Sequence, residues 1–261
     1  MLNASVLTYL NLVFDFSRRE IEKKYRGSYL GVIWLFLSPL LMLAVYTFVY
    51  SYVFRLRIAD MDRVDFVLWL YAGLTIFFFF SDVVTTATSC IRNSPNYVKK
   101  VIFPLEVLVS SKVISAWFSF VINVVILLIF LFVKQRGFQG TILLVPVILL
   151  PTVIFAYGLA MILASLGVFV QDTDAVTRVL VRVLFYLAPI VYPLTLVPQQ
   201  AYKFIWLNPL TNMVEPFRSV LLFGRLPEWD KFGGFLLVSI VCLYFGRTCF
   251  KKLRPAFADV L

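Results

Sequence analysis

A chain of 261 residues with 61% apolar and 15% charged content is too hydrophobic for a soluble domain, which carries about 45–50% apolar and about 25% charged residues. Its net charge of +10 sits beside the ends of apolar runs, where Lys and Arg act as topology signals and lipid-headgroup contacts, so membrane lipids and no nucleic acid are the expected partners. Histidine is absent, which excludes histidine metal sites, acid–base pairs and proton relays, and Cys90, Cys242 and Cys249, without a CxxC, read as small apolar residues.

In chain order, Met1–Phe16 lacks the basic start and small-residue cleavage site of a signal peptide. Residues 9–28 form an amphipathic pattern: Leu10, Val13, Phe14, Ser17, Ile21 and Tyr25 share one face, with Asp15, Arg18, Arg19, Glu22, Lys23 and Arg26 mostly opposite. That predicts a helix lying in the membrane interface, ended by Gly27 and Ser28. Spans are predicted at 30–54, 66–91, 107–133, 140–170, 175–193 and 232–250, each uncharged or nearly so and each able to approach the roughly 20 residues that cross a hydrocarbon core. Pro146 and Pro151 kink the fourth or mark its entry. Arg178 and Arg182 lie at the starting end of the fifth, where they can snorkel.

Residues 204–214 are apolar but too short to cross, and Pro198, Pro209 and Pro216 divide 196–222 into two short helices, a re-entrant pattern. Such helices are expected to bury fewer contacts than full spans and to be the more mobile part. The fold class is therefore all-α: an integral membrane protein with six transmembrane helices, an N-terminal interfacial helix and two re-entrant helices on the outer side. With a cytoplasmic N-terminus, 15 of the 24 Lys and Arg fall on the inside and 9 outside, which places both termini in the cytoplasm.

Catalytic and nucleotide motifs are absent. There is no G-x-x-x-x-G-K-[ST], G-x-S-x-G or H-E-x-x-H, and no paired intramembrane carboxylates. If the chain moves a substrate uphill, the energy comes from another chain or an ion gradient; gradient-driven transporters keep ionisable groups near mid-bilayer, and only Asp82 qualifies. A partner ATPase is the better expectation, with no cofactor on this chain. The segment 92–106 is the candidate handle: Ser94 can cap a helix of about two turns, Pro95 opens it and Pro104 stops it. Its other reading is an interfacial loop whose lysines meet headgroups. Asp82 either lines a pore mouth or is an interface carboxylate paired with a basic residue.

The run Arg19-Glu20-Ile21-Glu22-Lys23-Lys24-Tyr25-Arg26-Gly27-Ser28-Tyr29-Leu30-Gly31-Val32-Ile33-Trp34 resembles the opening of polysaccharide-export ABC transporter permeases. These are the Wzm-type subunits that export lipid-linked O-antigen, capsule or teichoic-acid chains. The resemblance continues in Val98–Glu106, Ala188–Pro193, Asn208–Thr211 and Leu253–Asp259, in order along nearly the whole chain. It departs at Gln171-Asp172, where relatives often carry Arg-Asp.

What the resemblance implies is specific. Ser94, Asn96, Tyr97, Val98, Lys99 and Lys100 couple the chain to the ATPase, which carries ATP and Mg. Arg18, Arg19, Lys23, Lys24 and Arg26 form a cytoplasmic gate for the lipid headgroup. Phe204, Trp206, Asn208 and Pro209 belong to an external gate. Trp34, Phe78, Tyr186 and Tyr192 are candidate pore-lining aromatics, since sugar C–H groups pack on flat rings; aromatics also anchor spans or face lipid, and four consecutive residues, Phe77–Phe80, cover every side of a helix. The expected assembly is a homodimer with two ATPase copies in the bacterial inner (plasma) membrane. Two other readings are a permease for small lipids or drugs, and a membrane-embedded transferase acting on lipid-linked sugars. The transferase needs a general base and usually a metal site that no cluster here supplies.

Overall fold

The computed structural model describes residues 2–25, 29–49, 63–99, 103–134 and 139–261, and among these the regular structure is helical without a strand. The chain is an all-α membrane protein. Arg26, Gly27, Ser28, Lys100, residues 50–62 and residues 135–138 lie outside the described residues, so the end of the first expected span, the loop after it and the tight loop after the third fall there.

The helices are α1 (Leu2–Tyr25), α2 (Trp34–Thr47), α3 (Arg63–Ala87), α4 (Pro95–Val98), α5 (Glu106–Val133), α6 (Val145–Phe169), α7 (Thr173–Leu187), α8 (Tyr202–Leu207), α9 (Pro209–Leu222), α10 (Trp229–Leu253) and α11 (Phe257–Val260). Among the described residues, four stretches are long and apolar enough to cross a membrane: Val64–Ala87, Glu106–Val133, Gly140–Phe169 and Trp229–Val260. They correspond to the second, third, fourth and sixth expected spans. Pro146 sits in the first turn of α6, which needs no amide donor there, and Pro151 lies inside the helix.

The expected fifth span, 175–193, is a helix of 15 residues ending at Leu187. At 1.5 Å per residue that is about 22 Å, short of the roughly 30 Å hydrocarbon core. The cause is Pro189: the residue before a proline is pushed out of the α region, and Ala188 is extended at φ −94°, ψ 149°.

α3 is the central helix. Of its apolar stretch 72% is enclosed by other helices, against 17% for α10, and it packs against α5, α9, α6 and α7. Two close approaches need glycine. A Cβ on Gly158 would stand 2.6 Å from the backbone nitrogen of Leu243, and one on Gly246 would stand 2.2 Å from the Gly158 carbonyl, so α6 and α10 cross backbone to backbone. At the other end of α6, a Cβ on Gly167 would lie 1.8 Å from the Thr88 carbonyl, in the turn that follows α3.

The helix α1 begins earlier than expected, and part of its apolar face meets the protein. Val13 and Ser17 are buried and Phe16 and Glu20 half-buried, while Leu10 and Phe14 are exposed. The helix lies on α5 through that face, leaving Leu10 and Phe14 turned away from the protein.

The segment 196–222 also departs from expectation in its packing. It holds two short helices, α8 and α9, with Pro209 opening α9 and Pro216 inside it. However, α9 buries ten of its fourteen residues, against α3 and α6. It is a core element and not a loosely held edge.

Candidate functional site

The coupling segment is shorter than its sequence pattern predicts. Ser94 occupies the N-cap position and Pro95 the first turn as expected, but the described helix α4 is one turn, and the Ser94 hydroxyl makes no capping bond. Pro95, Asn96 and Lys99 point outward, Ser94 is half-buried, and Val98 is buried.

Tyr97 points inward. Its ring meets Phe16 of α1 edge-on at 5.1 Å and Phe103 at 4.9 Å, and Phe16 and Phe103 lie 5.4 Å apart. Edge-to-face ring pairs add about 0.5–1.5 kcal/mol beyond their burial, so this triad joins α4 to α1. From the other side, Arg254 donates to the Phe103 carbonyl at 3.2 Å and stands 3.5 Å from Glu106. Phe257 of α11 is fully buried against Phe169 and Phe250. The C-terminal tail thereby braces the same turn.

The basic residues expected at the cytoplasmic gate do different things. Lys24 donates to Asp82 of α3 at 2.6 Å, so Asp82 is the paired interface carboxylate, and it also lines a cleft. Lys23 reaches Glu20 at 3.1 Å, and Glu20 also pairs with Lys112 of α5. Burial works to raise the Glu20 pKa, but the hydrogen bonds and charges of Lys112 and Lys23 outweigh it and hold the carboxyl below its ordinary value. Arg18 pairs with Glu22 in solvent at 2.9 Å, worth little at such exposure, and Arg19 stands over the Phe16 ring at 5.7 Å. Two ion pairs from one helix thus reach two different spans.

Two clefts flank α3. The first, of about 410 Å³, is lined by Trp34 and Met42 of α2, Phe78 and Asp82 of α3, and Ser119 and Asn123 of α5, among others. The second, of about 390 Å³, lies between α2, α3 and α7 and is lined by Tyr46, Phe77, Arg178, Arg182, Phe185 and Tyr186, with Ser81 and Thr85 shared by both clefts. Of the aromatics singled out, Trp34 and Phe78 line the first and Tyr186 the second. Tyr192 lines neither and donates to the Tyr186 carbonyl at 3.3 Å. In the Phe77–Phe80 run, Phe79 and Phe80 are buried and the other two face the clefts.

At the mouth of the second cleft, Arg178 donates to Asp174 at 2.8 Å, and Thr88 donates to the same carboxylate at 2.9 Å. The Arg178 hydrogen bond, helped by Thr88, holds the Asp174 pKa below its ordinary value.

The residues expected at an external gate divide in the same way. Phe204 is exposed, and Trp206 lies under the Lys231 ammonium at 3.7 Å. Asn208 is buried: it accepts from the Leu210 amide at 3.0 Å, capping α9 at Pro209, and donates to the Leu184 carbonyl of α7 at 2.9 Å.

Sequence reasoning missed the neighbouring Arg218, which is fully buried. It donates to the carbonyls of Pro189 (2.6 Å), Ile190 (2.7 Å) and Trp69 (3.1 Å), and to Glu215 at 2.9 Å. Its guanidinium lies 3.6 Å from the centre of the Trp69 ring and against Gly73, where a Cβ would stand 2.2 Å from Nη2. The readable signal was an i, i+3 Glu–Arg pair inside the apolar stretch 213–222.

Comparison with known proteins matches residues 12–222 to the family described as ABC-2 type transporter. The chain is 28% identical over 253 residues to the O-antigen export system permease protein RfbA of Myxococcus xanthus, covering 96% of this chain and 95% of that one. It is 26% identical to the protein of the same name from Klebsiella pneumoniae, covering 98% and 97%. It is 22% identical to the polysialic acid transport protein KpsM of Escherichia coli, covering 91% and 92%. The matched residues take in most of α1 and all of α2 to α9, so the chain belongs to the ABC-2 type transporter family and is a multi-pass membrane protein.

Proposed function

We propose that the chain is the channel-forming permease subunit of an ABC transporter that exports a lipid-linked polysaccharide, of O-antigen type, across the bacterial inner membrane. The observation that carries this reading is near-full-length similarity to O-antigen and polysialic acid transport proteins. The geometry supports it: two clefts with aromatic and hydroxyl walls run along α3, a surface suited to sugar rings.

In this reading two copies pair to enclose the path, and two copies of a separate ATPase bind ATP and Mg. Both termini are cytoplasmic. Because Arg218 is buried rather than in an outer loop, the count of outside positive charges falls to 8 and the bias strengthens. Pro95, Asn96 and Lys99 present the contact to the ATPase. Tyr97 carries its movement to Phe16, and so to α1, whose Lys24 and Glu20 hold Asp82 and Lys112 on the spans beside the first cleft.

A chromosomal deletion tests this. The strain should build lipid-linked glycan on the cytoplasmic leaflet and lack it at the surface, and both defects should reverse with the gene restored. Normal surface glycan in the deletion strain refutes the reading.

A further inference from the structure

The second cleft has an electrostatic imbalance. Of its two arginines, Arg178 is neutralised by Asp174, whereas Arg182, one turn further along α7, is exposed and has no hydrogen-bond or ion-pair partner among the described residues. A guanidinium that faces a cleft without a protein partner is free to take an anionic ligand.

The walls around it are aromatic. Phe77 and Phe185 pack at 4.6 Å and Tyr46 and Phe185 at 6.4 Å, with Tyr186 against Phe185 at 5.2 Å. Arginine matches phosphate oxygens in a two-pronged fashion, and rings beside it can take the apolar face of a sugar. The volume of about 390 Å³ falls within the roughly 300–1,000 Å³ of small-molecule sites.

Depth is fixed by neighbours. Ser81 in the cleft adjoins Asp82, which Lys24 of the interfacial helix grips, and the first turn of α7 is tied to Thr88 just after α3. The cleft therefore lies at the end of α3 where α1 rests, at headgroup level. Resting on the polysaccharide-export reading, we propose that Arg182 binds the phosphate that joins glycan to lipid, and that Tyr46, Phe185 and Tyr186 hold the sugar next to it.

The test uses the complete transporter with its ATPase in phosphatidylcholine nanodiscs, and a radiolabelled polyprenyl diphosphate bearing one sugar as probe. Arg182→Gln should raise the probe Kd about tenfold or more, the scale of one lost charge-assisted contact. Arg182→Lys should recover part of that, and Lys251→Gln, at the exposed end of α10, should change nothing. An unaltered elution profile and apparent Tm show that each variant is folded. Anionic phosphatidylglycerol added at probe concentration should not compete. Wild-type affinity in Arg182→Gln overturns the site alone. Competition by phosphatidylglycerol makes it an ordinary headgroup contact and also overturns it. No probe binding by the wild type removes the export reading, and the site falls with it.

Discussion

Replacing Arg218 by Met tests how α9 is held. Met keeps an unbranched side chain, two atoms shorter, and removes every donor. The Trp69 carbonyl lies inside α3 and keeps its helical partner, so its loss is minor. The Pro189 and Ile190 carbonyls lie in the turn after α7 and depend on the guanidinium. A buried acceptor left unsatisfied costs about 1–3 kcal/mol, so the two together cost about 2–6 kcal/mol. Glu215 is 23% exposed and can turn towards water, so it adds little. In detergent, followed by fluorescence-detected size exclusion after heating, the apparent Tm should fall by about 4–24 °C, taking about 2–4 °C per kcal/mol. Arg218→Lys should fall between, because one ammonium cannot reach four acceptors.

Gly73→Ala supplies the control. Its methyl would occupy the place of Nη2, so it should displace the guanidinium, and its effect should largely vanish in the Arg218→Met background. A Tm within about 2 °C of wild type for Arg218→Met, or fully additive effects of the two changes, refutes the idea that this residue clamps α9.

Two further outcomes follow from the contacts of α1. Phe16→Ala and Tyr97→Ala should each lower export several-fold while ATP hydrolysis continues, and the double variant should be no worse than either, as expected for one shared contact; additive losses or unchanged export, scored by surface glycan against phosphate release, would refute transmission through the triad. The Glu20 carboxyl has a folded pKa below its ordinary 4.5, so its contribution is full above pH about 4.5 and is lost as pH falls through the lowered value. A solvatochromic dye on Arg19→Cys should then report release of α1 only below that point, and the Glu20→Gln background should show the released signal at neutral pH.

Much of the architecture was legible because uncharged runs of 20 or more residues have few alternatives in a membrane protein. α5 begins one residue from its expected start, and α10 extends the expected 232–250 by three residues at each end. What escaped was set by tertiary contacts. Arg218 was counted as an outer-loop charge, since a local pattern does not show carbonyls some thirty and 150 residues away. Which part of the apolar face of α1 meets protein was not legible, because such a helix can have lipid, water and protein neighbours and periodicity separates only apolar from polar. Tyr97 was singled out for coupling to the ATPase, and no local pattern showed the rings it packs against. The ring of Phe103 beyond the proximal turn, and Phe16 before it, turn it inward.

The crossing of α6 and α10 at Gly158 and Gly246 limits how this molecule can change shape. With backbone atoms in contact there is no compressible side-chain layer, and either helix sliding by even one residue would drive a Cβ into a main chain. These two helices must therefore travel as one body through any cycle of opening. Freedom to rearrange is left to the opposite flank of α3, where α2 and α7 border open clefts instead of bare backbone.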